Sequence, residues 1–196
     1  MNKILGSWIF SVLALVVLVA WIGSGSLHRN TDQGERGLFD TSFSLQSAKG
    51  PVTEKNYAGK YMLVYFGFTH CPDICPTTLL LVQNVLGMMD DKAARVVPIF
   101  ITVDPERDTP KIMADYAAHF GPGVVGLSGT PAQIKTAADH YKVYYSKVED
   151  KKSALGYSMD HSGFLYLVAP DGTYLTHFGA NITEQALLEG LNNYVK

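Results

Sequence analysis

The residues of this chain with nucleophilic or soft-metal chemistry are two cysteines, Cys71 and Cys75, and six histidines. Both cysteines lie in Gly67-Phe68-Thr69-His70-Cys71-Pro72-Asp73-Ile74-Cys75-Pro76. One tight turn can bring two thiols at this spacing together, and three uses follow. The pair can exchange with disulfides, hold a soft metal ion, or close a small loop as a plain disulfide. The C-x3-C spacing is one residue longer than the C-x2-C of thiol–disulfide oxidoreductases. A structural zinc site wants four nitrogen or sulfur ligands, so any metal held by these two sulfurs must also recruit a histidine. If Pro76 is the first helical residue, Cys75 is the N-cap, where the helix macrodipole favours a thiolate.

The histidines differ in context. His28 falls in a polar, Gly-rich stretch, and His119 and His140 fall near the ends of expected helices, where a cation suits the dipole. His177 sits in an apolar strand beside Leu175 and Phe178 and reads as structural. His70 could lower the pKa of Cys71 as an imidazolium, but neighbours in an extended segment point to opposite sides, which argues against shared ligation. His161, in Ser158-Met159-Asp160-His161-Ser162-Gly163, reads as a loop residue just before an apolar strand. It is either a surface side chain or a ligand, with Asp160 either orienting its ring or starting a turn.

The elements that must position these residues alternate in type. The run 61–68 (YMLVYFGF) reads as a strand buried on both faces, and helical apolar spacing follows from Leu79 to Met89. A second buried strand covers 95–103. Thr109-Pro110 opens a helix to Phe120, and 124–127 is a brief strand. Thr130-Pro131-Ala132-Gln133 is a capping box for a helix reaching about Tyr141. Segments 142–148 and 163–169 read as strands, Asp171-Gly172 as a two-residue hairpin turn into 173–178, and 181–184 as the cap of a last helix ending at Tyr194. The class is therefore α/β, a mixed sheet flanked by helices that resembles the thioredoxin-like arrangement.

With 16 Lys+Arg against 18 Asp+Glu and no long run of like charge, the chain lacks the basic surface of a nucleic-acid binder. Its 47% hydrophobic and 17% charged content excludes disorder for the bulk of it. Residues 4–23 carry no charge and, as a transmembrane helix, would reach about 30 Å, the thickness of a bilayer core. We expect a membrane anchor over 1–25, with a cleaved signal peptide as the alternative, a tether over 26–36 and a globular domain over 37–196. Both alternatives export the domain and put the thiols in an oxidising compartment.

The run Tyr65-Phe66-Gly67-Phe68-Thr69-His70-Cys71-Pro72-Asp73-Ile74-Cys75-Pro76-Thr77-Thr78-Leu79 closely resembles the signature of the Sco/SenC family. So do Thr102-Val103-Asp104-Pro105-Glu106-Arg107-Asp108-Thr109-Pro110 and Asp160-His161-Ser162 followed by Tyr166-Leu167-Val168-Ala169-Pro170-Asp171-Gly172. The resemblance implies a thioredoxin-like fold and a copper site in which Cys71 and Cys75 supply sulfur and His161 supplies nitrogen. A set of two thiolates and an imidazole suits Cu(I) and tolerates Cu(II). It also implies a protein that helps build the binuclear copper centre of cytochrome c oxidase, either as a binding protein that hands over copper or by reducing the disulfide of the apo-oxidase so that another chaperone can. Its partners would be the copper-bearing oxidase subunit and another copper chaperone, met at the periplasmic face of a bacterial inner membrane. The rival is a thiol:disulfide reductase using Cys71 and Cys75 alone. A peroxidase is a third idea, since Thr69 before Cys71 resembles the Thr-x-x-Cys of peroxiredoxins at the wrong spacing.

Overall fold

The apolar run beginning at Tyr61 forms the central strand of a five-stranded sheet. The computed structural model describes residues 39–151, 153 and 156–196. The expected anchor and tether, with His28, lie outside the described residues, and no helix among the described residues is long and apolar enough to cross a membrane. In chain order the elements are β1 (Ser44–Ser47), β2 (Gly50–Thr53), β3 (Tyr61–Gly67), α1 (Ile74–Gly87), β4 (Val96–Thr102), α2 (Pro110–Ala118) and β5 (Val125–Leu127). There follow α3 (Pro131–His140), β6 (Tyr145–Glu149), β7 (Tyr157–His161), β8 (Leu165–Val168), β9 (Tyr174–Phe178) and α4 (Glu184–Tyr194).

The sheet order is β5-β4-β3-β8-β9, with β3, β4 and β5 parallel and β8 and β9 antiparallel. Every residue of β3 is buried, as expected of a strand with neighbours on both edges and cover on both faces. One face carries Tyr65, paired with Phe100, under α1 and Tyr116 of α2, and α4 packs beside α1. The opposite face carries Phe66 and Tyr166 against Tyr141, which follows α3. This is the mixed sheet with helices on both faces that the alternation of elements predicts.

Local signals set the boundaries. Thr109 and Thr130 cap α2 and α3, each followed by Pro in the first helical turn, and Thr183 caps α4. The Asp171-Gly172 expectation is corrected: the Gly172 N–H bonds the Ala169 carbonyl at 2.9 Å, so these two residues close a turn begun by Ala169-Pro170. Gly172 takes φ +87° there, a conformation that favours glycine. Two hairpins were not foreseen. β1–β2 joins the main sheet's periphery through a bridge from Gln46 to Ser128, and β6–β7 stands as its own two-stranded sheet.

Candidate functional site

Beyond Gly67 the chain leaves β3, makes a tight turn with Cys71 N–H on the Phe68 carbonyl (3.3 Å), and enters α1 at Ile74 with Asp73 as N-cap. Cys75 is therefore the second helical residue and not the N-cap. The helix can begin two residues before Pro76 because an amide N–H in the first turn has no intrahelical acceptor to lose. One consequence is that Cys75 points inward and is fully buried, while Cys71 stays half-buried at the mouth; both are free thiols.

The Cys75 sulfur lies 3.7 Å from His161 Nε2 and 3.8 Å from the Tyr65 hydroxyl, which donates to it. It also packs so closely on Gly67 that a Cβ there would stand 2.6 Å from the sulfur. His161 is not in a loop: it ends β7, paired with Tyr145 of β6. Its Nδ1 is 3.1 Å from the Ser162 carbonyl. A carbonyl only accepts, so Nδ1 carries the proton and Nε2 turns a lone pair towards Cys75. The ring is wedged edge-on between Tyr65 and Phe68, with centroids 6.2 and 5.9 Å away. Asp160, offered as the ring's orienting acceptor, is exposed on β7, and the Ser162 carbonyl has that role instead.

The two thiols share one proton unequally. Cys71 is pulled down to about 4, chiefly by the hydrogen bond from Cys75, with burial opposing and the Asp73 and Cys75 amides assisting. Cys75 is pushed up by the same bond and by its burial. The helix-start amides thus serve Cys71, reversing the expectation that Cys75 would be the thiolate. His70 is not among the groups acting on Cys71; it is exposed and faces Thr69 (3.1 Å) and Asp108 (3.9 Å). His119 faces the Tyr116 carbonyl of its own helix end as a capping residue does, His140 instead reaches the Ser42 carbonyl and Asp40 ahead of β1, and His177 is exposed beside Phe164.

A buried polar floor supports the loop. Asp108, fully buried, accepts the Thr69 amide (2.9 Å), the Thr69 hydroxyl and the Thr102 hydroxyl (2.7 Å). Asp104 pairs with Arg107 and accepts Tyr157 Oη at 3.1 Å, and the Arg107 guanidinium stacks 4.0 Å from the Tyr157 ring. These contacts tie the β7 strand that carries His161 to the end of β4. Asp104, Arg107 and Asp108 were noticed in the sequence only as part of a family block. Four charged residues crowded directly after an apolar strand, of which only Glu106 is exposed, were the available signal that some are buried and paired. Tyr65 gave no such signal, being one aromatic among several.

Among the described residues no group of three His, Cys, Asp or Glu side chains stands arranged to hold a metal ion. The Cys75–His161 separation of 3.7 Å suits one edge of a metal site. Two ligands at about 2.0–2.3 Å from one ion lie about 3.5–3.7 Å apart at trigonal or tetrahedral angles. Cys71, four residues before Cys75 on the turn that enters α1, is the second sulfur beside this pair and is half-buried. The same geometry also permits thiol–disulfide exchange through the half-buried Cys71.

A family model described as SCO1/SenC matches residues 31–196. The mitochondrial protein SCO2 of Saccharomyces cerevisiae is 41% identical over 156 residues, which is 79% of this chain and 52% of that protein. A SCO2-like protein of Rickettsia prowazekii is 40% identical over 77% of this chain and 74% of its own length. This chain thus spans about half the length of the yeast relative. Among solved structures, Arabidopsis thaliana ScoI, crystallised with copper bound, superposes with a TM-score of 0.73 at 42% identity, covering 78% of this chain and 94% of that one.

Proposed function

Because this chain belongs to the SCO1/SenC family, we propose that it holds one copper ion between Cys71, Cys75 and His161 as cargo for the binuclear centre of cytochrome c oxidase. One observation carries the reading. Residues far apart in sequence put a thiol and the lone pair of an imidazole 3.7 Å apart, with a second, half-buried thiol on the turn four residues before the first. Solved relatives with copper bound support it. Thiolates select Cu(I), and the imidazole also accommodates Cu(II), so the site can carry either state.

The chain's own residues prepare the site. Ser162 fixes the His161 tautomer, Asp108 fixes the Thr69 backbone before Cys71, and burial of Cys75 keeps one sulfur out of water. Loading requires both sulfurs deprotonated, so the proton shared by the thiols must leave, and a Cys71–Cys75 disulfide closes the site. In this reading residues 4–23 hold the domain at the periplasmic face of a bacterial inner membrane, beside the copper-bearing oxidase subunit.

The half-buried Cys71 thiolate favours a second reading, a reductase of the oxidase's copper-site cysteines. Cys71 would attack the target disulfide and form a mixed disulfide. Cys75 would then displace the target, leaving a Cys71–Cys75 disulfide and two target thiols. Titration of the reduced full-length chain with Cu(I) against a competing chelator separates the readings. The copper reading expects one tightly held ion per chain, lost in His161→Ala and in Cys71→Ala/Cys75→Ala. Copper retention by His161→Ala overturns the ligand set. A chain that holds no copper yet reduces an oxidised CuA-type peptide leaves only the reductase.

A further inference from the structure

The Cys75 sulfur is not an isolated ligand atom but the end of a buried hydrogen-bond chain. The Tyr65 hydroxyl donates to it at 3.8 Å. Tyr65 is 1% exposed and rises from the central strand two residues before Gly67, with buried Thr78, three residues after Cys75, near its hydroxyl. The Phe68 amide also donates to this sulfur. The Tyr65 ring is locked by stacking on Phe100 at 5.8 Å and by the edge of His161 at 6.2 Å. A hydroxyl so placed has no water with which to exchange its bond, so its direction is fixed before any ligand arrives.

We propose that Tyr65 is a positioning residue for the thiol pair: its buried hydroxyl, aimed at the Cys75 sulfur, draws electron density from it and stabilises the reduced pair over the disulfide. A sulfur bonded to a second sulfur is a poorer hydrogen-bond acceptor than a reduced one, so a fixed, buried donor aimed at Cys75 favours the reduced state. With copper bound, the same donor makes Cys75 a weaker electron source to the metal, a lever by which hydrogen bonds near cysteine ligands tune copper sites. The thiol effect needs no metal; the effect on bound copper rests on the copper reading above.

The test is Tyr65→Phe in the full-length chain, which keeps the ring and removes the donor. In the metal-free protein the pair is equilibrated with glutathione. One glutathione disulfide takes two electrons and the shared proton from Cys71 and Cys75, takes a second proton from solvent and leaves as two thiols, and alkylation followed by mass counts the reduced fraction. One lost hydrogen bond of ordinary net strength shifts that equilibrium about fivefold towards the protein disulfide. Tyr61→Phe, which loses a bond to the Tyr194 carbonyl on the same strand but far from sulfur, leaves it unchanged. In the Cu(II)-loaded protein, Tyr65→Phe moves the sulfur-to-copper charge-transfer band to lower energy. An unmoved glutathione equilibrium in Tyr65→Phe overturns the proposal, as does an equal shift in Tyr61→Phe. A shifted equilibrium in a chain that takes up no copper sustains it and removes the copper reading alone.

Discussion

Replacing Gly67 by alanine tests the packing that sets the site. The added methyl would stand 2.6 Å from the Cys75 sulfur and 2.8 Å from Cε2 of Phe100. Ordinary contact is about 3.5–4.0 Å, so the overlap is about 1 Å on two sides at once. Neither neighbour can retreat cheaply, because Cys75 and Phe100 are both fully buried and Cys75 is held by Tyr65 and His161. Overpacking of a dense core costs about 1–3 kcal/mol, which for a domain of this size lowers Tm by roughly 2–12 °C. Near-UV circular dichroism of the tyrosines reports this melt, since Trp8 and Trp21 both precede the domain. The sulfur, pushed outward, loses its distance to His161, so copper affinity falls with stability. Gly87→Ala is the control. It ends α1 with nothing within 4 Å of the new methyl, and is expected to be neutral or to stabilise by up to about 1 kcal/mol. A Gly67→Ala chain that melts within a degree of wild type with copper affinity intact would refute the close approach and the reasoning built on it.

The thiol pair makes a prediction in pH. Because Cys71 sits at about 4 in the fold against an ordinary 9.0, it is ionised at neutral pH, and Cys75 is the protonated partner. Iodoacetamide at pH 6–7 is expected to label Cys71 alone, at a rate that stays level down to about pH 5 and falls as the pH drops through 4; preferential labelling of Cys75 contradicts the assignment. The sign for stability follows: the depressed Cys71 contributes stability that is lost as pH falls through about 4, while the raised Cys75 works the opposite way and loses its contribution only as pH rises through its own elevated range. Asp108→Ala strips acceptors from the Thr69 amide, the Thr69 hydroxyl and the Thr102 hydroxyl in a buried place, and is expected to cost about 3 kcal/mol or more in urea denaturation. Asp108→Asn keeps one acceptor oxygen and is expected to cost less, and an equal loss in both would show that the carboxyl's charge, not its acceptor geometry, matters.

Several elements were legible in the chain because their causes are local. Thr130-Pro131-Ala132-Gln133 is a capping box wherever it occurs, since each partner is within one helical turn. The run from Tyr61 had to be a buried strand because its residues are apolar on both alternate sets. The start of α1 was misjudged by two residues, because proline is tolerated anywhere in the first turn and does not mark which residue opens it. The β6–β7 hairpin was missed as a unit. Its strands are mostly polar and half-buried, so neither alternation nor an apolar run announces them.

The sequence by itself determined which atoms are available: two sulfurs near the start of a helix, six imidazoles, and three short blocks whose likeness to one family singles out His161 among them. Tertiary structure decided which of those atoms meet, and in which state. Only the pairing of β7 with β6, and the Arg107, Asp104 and Tyr157 contacts beneath it, bring His161 to Cys75 across 86 positions of chain. Likewise only burial and a shared hydrogen bond decide that Cys71 and not Cys75 is the thiolate. Spacing along a chain fixes what one helical turn can touch, but solvent exclusion and long-range contact belong to the folded whole, and they set the protonation of a thiol and the lone pair of an imidazole.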